Sequence, residues 1–218
     1  MAHNRISFHN KSGSLICDSV YYEDDNARIE RIRAFVKHHY VNTGHCGFSD
    51  DFDRYFDPFS VYFYVYDVDE NIHAVQRIIH KTPNNMLPME MASIYGSAPN
   101  EKYKVDAENV VELTSFVFSG AEAIEMLVAC MAYYGKVNNV KKAYALLDKE
   151  ERKMKKLYKI IGWKESARYN CPVFFGDYGK ESAGKFGPII WKIMEMPEEK
   201  ILRLAENIQR YQIGNGGA

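Results

Sequence analysis

The period of the apolar positions changes several times along the chain, and each change marks an element. Positions 60–68 alternate aromatic and β-branched residues, the period of a strand. After the turn Asp69-Glu70-Asn71, Ile72–His80 returns as the second arm of a hairpin. Val110–Phe118 reads VVELTSFVF between a polar run and Ser119-Gly120. Nearly every position is apolar, which predicts a strand in the middle of a sheet covered on both faces. Helical spacing appears three times with clear ends. From Asn26 to about Tyr40, Ile29, Ile32 and Val36 share a face. In Ala121–Val137, Ile124, Leu127, Val128 and Met131 share one. In 149–161, Met154, Leu157, Tyr158 and Ile161 share one, with Gly162 as the stop. Strands are predicted at 15–22, 142–147, 163–169 and 188–194, and a last helix at 198–211. The polar, acidic stretch 42–57 is expected to be a lid or loop, and 97–109 shows no period.

With no long linker, composition shift or repeat, these elements predict one α+β domain over residues 1–213. They form an αβα-layered arrangement with a mixed, largely antiparallel sheet, and 214–218 follow as a disordered tail. The unit from Val110 to Tyr169 should contain a right-handed parallel crossover. The formal net charge of −1 gives no electrostatic case for nucleic acid or an anionic membrane. The 16 tyrosines and 12 phenylalanines fall largely in the strands, as core and pocket lining. The cysteines, Cys17, Cys46, Cys130 and Cys171, are far apart and form no Cys-x-x-Cys, which points to free thiols in a cytoplasmic protein. No apolar run reaches membrane-spanning length, so no stable membrane insertion is expected.

Two charges break the apolar pattern. Glu112 lies on the central strand and, by alternation, on the face of Val110, Thr114, Phe116 and Phe118. A carboxylate there is costly without a partner or a task. Arg77 shares a face with Val75 and Ile79, and a guanidinium there needs an anion. The candidates are Glu112, Asp50, Asp53 or a neighbouring aspartate, or else the carboxylate of a bound substrate. His38, His39, His45 and Cys46 cluster in sequence, but adjacent histidines diverge around a helix, so no metal site is expected. A Gly-x-Ser-x-Gly elbow, a phosphate-binding Gly-x-x-x-x-Gly-Lys loop and a dinucleotide fingerprint are absent.

The segment LLDKEERKMKKLYKIIGW, residues 146–163, resembles the strand–helix–strand signature of the GNAT acyltransferase fold, with Leu157, Tyr158, Gly162 and Trp163 on its marked positions. Upstream, DDFDRYFDPFSVYFYVYDVDENIHAVQRII followed by VVELTSFVFS resembles the acyl-homoserine-lactone synthases and the related long-chain N-acyl amino acid synthases. Asp50, Asp53, Arg77 and Glu112 fall on motif positions of that group. The arginine that the lactone synthases carry three residues after the glutamate is Ser115 here, and Val41 stands near the place of their tryptophan. The prolines and MLPMEM after Arg77 are closer to the N-acyl amino acid synthase branch.

The resemblance implies a GNAT-like sheet whose two central parallel strands splay to admit a pantetheine arm. It implies transfer of a long-chain fatty acyl group from an acyl carrier protein thioester to the α-amine of an amino acid. Glu112 would be the general base, and Tyr158 would protonate or orient the leaving thiolate. Backbone at Phe116, Val117, Phe118 and Ser119 would hold the acyl-thioester and its pantetheine. Arg77, Asp50 and Asp53 would bind the acceptor. No permanently bound cofactor is implied. The donor would be acyl-phosphopantetheine on carrier protein, or acyl-CoA. Ser119-Gly120-Ala121-Glu122 lacks the glycine-rich loop that holds a CoA diphosphate, and Glu122 would repel one, which favours carrier protein. Lys136, Lys141 and Lys142 are the basic residues expected near the mouth. The alternatives are an acyl-homoserine-lactone synthase, an acetyl-CoA-dependent N-acetyltransferase, and a non-catalytic lipid- or partner-binding domain.

Overall fold

The computed structural model describes residues 5–47, 49–98 and 100–213. The expected tail, 214–218, lies outside them. One sheet carries the fold. From one edge its strands run Gln212–Ile213, Ser7–His9, Leu15–Tyr21, Ser60–Asp67, Ile72–His80, Val110–Phe118, Lys142–Asp148, Trp191–Pro197, Val173–Phe174 and Ser93–Ile94. Every pairing is antiparallel except that of Val110–Phe118 with Lys142–Asp148. The connection across that pair is the helix Ala121–Val137, as a parallel crossover requires.

Alternation divides the side chains between two layers. Val61, Phe63 and Val65 pack with Met126, Leu127 and Cys130 of Ala121–Val137. Tyr62 and Tyr64 turn the other way, onto Ile29, Ile32 and Val36 of the helix Asn26–Asn42. That helix starts where Asp25 accepts the Arg28 amide at 2.9 Å. The helix Arg152–Ile161 ends on Gly162, whose φ of 108° is open to glycine at little cost.

Five expectations are corrected. The Glu112 strand does not alternate through its whole length. Ser115 sits at φ 55°, and the register with Ile72–His80 slips between Val75 and Arg77. This β-bulge reverses the faces beyond it. Val110 packs with Ile79 and Tyr144, whereas Phe116 and Phe118 join Val111 and Leu113 on the layer of Ala121–Val137, and Val117 faces Ile29 and Tyr62. Residues 42–57 are largely ordered: the strand His45–Cys46, the helix Asp50–Tyr55 capped by Ser49, and a 3-10 turn Asp57–Phe59. The late strand expected at 163–169 shrinks to Lys164–Glu165. The one expected at 188–194 falls at Trp191–Pro197, after a hairpin, Gly179–Ser182 with Lys185–Pro188, that the weak apolar pattern did not reveal. The last helix is α-helical over Glu198–Ala205 and then tightens to 3-10 over Glu206–Arg210.

Candidate active site

The two parallel strands stay paired only from Val110↔Lys142 to Leu113↔Ala145. Beyond that, Lys142–Asp148 continues against Trp191–Pro197, and the Glu112 strand bends away at Ser115. The edge of Thr114–Phe118 that faces the gap therefore carries no strand. Against the gap lies an apolar cavity, lined among others by Leu113, Phe116, Val128, Met131, Tyr158 and Trp163. The bulge makes this lining possible: with unbroken alternation Phe116 would point to the opposite layer.

Glu112 stands at the base of the split and is 0% exposed. Its Oε2 accepts the Met89 amide at 3.0 Å, from the short helix Pro88–Met91. Its Oε1 is buried with no hydrogen-bond partner among the described residues. Burial pushes the carboxyl up to about 8. The Met89 amide opposes that rise, the Glu90 charge adds to it, and Arg77 opposes it. The group is thus poised to exchange a proton near neutral pH rather than to sit permanently ionised.

Arg77 is 3% exposed and fully engaged with the protein. Nη2 meets Asp53 Oδ1 at 2.6 Å, Nη1 donates to the Asp53 carbonyl at 3.1 Å and to the Tyr62 hydroxyl at 3.0 Å, and Nε donates to Thr114 Oγ1 at 3.0 Å. The rings of Phe56 and Tyr62 flank the guanidinium at 5.6 and 5.4 Å. Asp53 also binds Arg33 Nε at 3.1 Å, and Arg33 reaches Asp57 and Glu30. Of the two kinds of anion that the sequence offered Arg77, the structure supplies the internal one. Asp50 stands apart: its carboxylate is 61% exposed and pairs with Lys37 at 3.2 Å.

Tyr158 is buried between Phe116 (6.4 Å between ring centres) and Trp163 (5.4 Å), and its hydroxyl has no hydrogen-bond partner among the described residues. Burial, then the neighbouring Tyr40 and Glu112, raise it above the usual phenol range, so it holds its proton. Tyr40, at the end of Asn26–Asn42, is raised to about 12 by burial, with Arg77 opposing and Asp53 adding. Tyr158 is thus within electrostatic reach of both Tyr40 and Glu112. The Ser119 amide donates to the His73 carbonyl at 2.6 Å, and Glu122, at the start of the next helix, accepts from Asn10 at 2.8 Å.

Sequence reasoning missed Glu90 and Tyr40. Glu90 had a faint signal: an acidic residue in the apolar run MLPMEM, following two prolines. Tyr40 had none, since it closes an ordinary amphipathic helix. Among the described residues no three His, Cys, Asp or Glu side chains gather to hold a metal ion, and no helix is long and apolar enough to cross a membrane. Cys17, Cys46, Cys130 and Cys171 are free thiols.

No protein-family model matches the chain, and no curated protein matches it by sequence. Solved structures do. An N-acyl amino acid synthase, FeeM, from uncultured soil microbes superposes with a TM-score of 0.58 at 14% identity, over 89% of this chain and 96% of that one. RimJ of Mycobacterium smegmatis, in complex with CoA-disulfide, matches with a TM-score of 0.53 at 10% identity, over 97% of both chains. A GNAT-family acetyltransferase from Streptococcus pneumoniae matches with a TM-score of 0.53 at 10% identity, over 84% of this chain and 99% of that one. A sheet split after Leu113 and Ala145, a bulge at Ser115 and these three superpositions converge on one architecture: the chain has the GNAT fold.

Proposed function

We propose that the protein is an N-acyltransferase that moves a long-chain acyl group from a carrier-protein thioester to the α-amine of an amino acid. The observation that carries this reading is the split sheet, with an apolar cavity on one layer and, on the other face of the same strand where the split begins, the buried and half-partnered carboxylate of Glu112. Glu112 takes a proton from the acceptor ammonium. The freed amine attacks the thioester carbon, a C–N bond forms, the C–S bond breaks, and the proton that the new amide nitrogen sheds passes to the departing sulfur, which leaves as the thiol. The unpaired strand edge at Phe116, Val117 and Phe118 is proposed to hold the thioester oxygen as its charge develops. The Tyr158 hydroxyl, which keeps its proton firmly, is suited to donate a hydrogen bond to the departing sulfur rather than to surrender the proton. The acceptor end is proposed to lie by Tyr40, against a wall that the Arg77–Asp53 ion pair holds in place, with Asp50 at its outer rim.

Two features favour a carrier protein with a long acyl chain over acetyl-CoA. The cavity is lined almost wholly by apolar side chains, which suits a hydrocarbon chain better than an acetyl group. The outer face of Arg152–Ile161 exposes Arg152, Lys153, Lys155, Lys156 and Lys159, none of which pairs with a carboxylate among the described residues, whereas Lys141 is tied to Glu198 at 2.7 Å. A free basic face beside the cavity suits an acidic donor protein. The test is direct. The purified protein is supplied with long-chain acyl carrier protein, long-chain acyl-CoA and acetyl-CoA, each against a panel of amino acids, and N-acyl products are read by mass spectrometry. Product from the carrier-protein donor is expected to dominate. Equal or better use of acetyl-CoA would overturn the donor assignment, and no product from any thioester would overturn the activity.

A further inference from the structure

Glu90 is a second buried carboxylate, 4% exposed, in the irregular crossing between the Arg77 strand and the Glu112 strand. It does not face the cavity. Its Oε2 accepts the Leu87 amide at 2.7 Å and Lys81 Nζ at 2.8 Å, and its Oε1 accepts the Val105 amide at 2.8 Å. Lys81 also donates to the Asn85 carbonyl at 2.7 Å. One side chain thus ties the start, middle and end of a segment with little regular structure, and the helical turn it fixes, Pro88–Met91, presents the single amide that Glu112 accepts.

We propose that Glu90 is the positioning residue for Glu112: by gathering Lys81, Leu87 and Val105 it aims the Met89 N–H at Glu112 Oε2 and so sets where that carboxyl points and how readily it gives up its proton. The proposal rests on the reading of Glu112 as the base, but its geometry can be tested without turnover. The groups that face Glu112 are Arg77 from Ile72–His80, Glu90 from the Pro88–Met91 turn, Tyr144 opposite it in register on Lys142–Asp148, and Tyr158 from Arg152–Ile161. Both tyrosines are neutral in the working range, since both hydroxyls are raised by burial. That leaves Arg77 and Glu90 as the charges that act on Glu112.

The Glu90→Gln change separates position from charge, because the two predict opposite signs. An amide has one acceptor oxygen where the carboxylate has two, so either the Val105 amide or the Leu87–Lys81 pair loses its acceptor and the turn loosens. Loss of the Met89 hydrogen bond makes Glu112 harder to ionise, whereas loss of the Glu90 charge alone makes it easier. The experiment follows the Glu112 side-chain carboxyl carbon and the Met89 amide by NMR, in the full chain, across roughly pH 5 to 10, alongside the pH dependence of turnover. In the wild type the Met89 amide is expected to titrate with the Glu112 midpoint. In Glu90→Gln the midpoint should rise by about one unit, the Met89 response should shrink, and the turnover profile should move alkaline with the acceptor KM unchanged.

An unmoved midpoint, or one that falls, would overturn the proposal. So would a wild-type Met89 amide that ignores the titration, and that arm decides alone if Glu90→Gln fails to fold. If the NMR behaviour is as expected but no thioester is turned over, Glu90 still positions Glu112 and it is the reading of Glu112 as a catalytic base that fails.

Discussion

Glu90 and Glu112 are both glutamates within a few per cent of complete burial, and they meet opposite fates. Glu90 receives three donors on two oxygens, one of them a lysine ammonium. Glu112 receives one amide on one oxygen, and its other oxygen has no partner. The first is a satisfied ion that organises backbone. The second is starved of donors, so burial pushes it up to about 8. Burial alone therefore does not mark a reactive carboxylate. A deficit of hydrogen bonds distinguishes the two, because a group short of donors gains most by holding or trading its proton.

The comparison can be broken most sharply at Glu112 itself. Glu112→Gln should fold and lower turnover by about two to four orders of magnitude, the usual worth of a general base. Near-normal turnover in a folded variant would put Glu112 on the same footing as Glu90. The reverse experiment is Glu90→Ala. It leaves the Lys81 ammonium and two buried amides without their carboxylate, and should cost roughly 3–5 kcal/mol of stability in a denaturant titration, as breaking a buried pair does. A loss below about 1 kcal/mol would mean that Glu90 behaves like an exposed pair.

Arg77→Lys probes the third buried ionic centre. An ammonium cannot reproduce the fork that grips Asp53, Tyr62 and Thr114, so about 2 kcal/mol of stability should be lost, with both substrates affected alike. An unchanged melting temperature with a raised acceptor KM would instead assign the guanidinium to the acceptor. A last effect is in the pH dependence of stability. Between an ordinary unfolded-state value and about 8, folded Glu112 holds a proton that the unfolded chain releases, so stability falls as pH rises through that window and levels off above it. Glu112→Gln should remove this slope. Its advantage over the wild type should grow through that window and stay constant above it. Parallel stability curves would show that Glu112 ionises normally in the folded protein.

The chain itself determined the strands Ile72–His80 and Val110–Phe118 and the helix Ala121–Val137, residue for residue, because period and local turn chemistry act over a few positions. It also singled out Glu112 and Arg77, because a charge in an apolar run is visible without a structure. What it could not convey is set by contacts between distant segments. The bulge at Ser115 shows only in the register against Ile72–His80, and it decides that Phe116 lines the cavity while Val117 does not. The choice of Asp53 over Asp50 as the partner of Arg77 follows from which face of a six-residue helix meets the sheet. The short hairpin at Gly179–Ser182 and Lys185–Pro188 has almost no apolar period, and close backbone approach shapes it: a Cβ on Gly179 would lie 2.2 Å from the Gly187 carbonyl oxygen. Glu90 and Glu112 look alike as letters in apolar surroundings. Only folding settles how many donors each one meets, because those donors are backbone amides and a lysine from segments that the sequence leaves without a period.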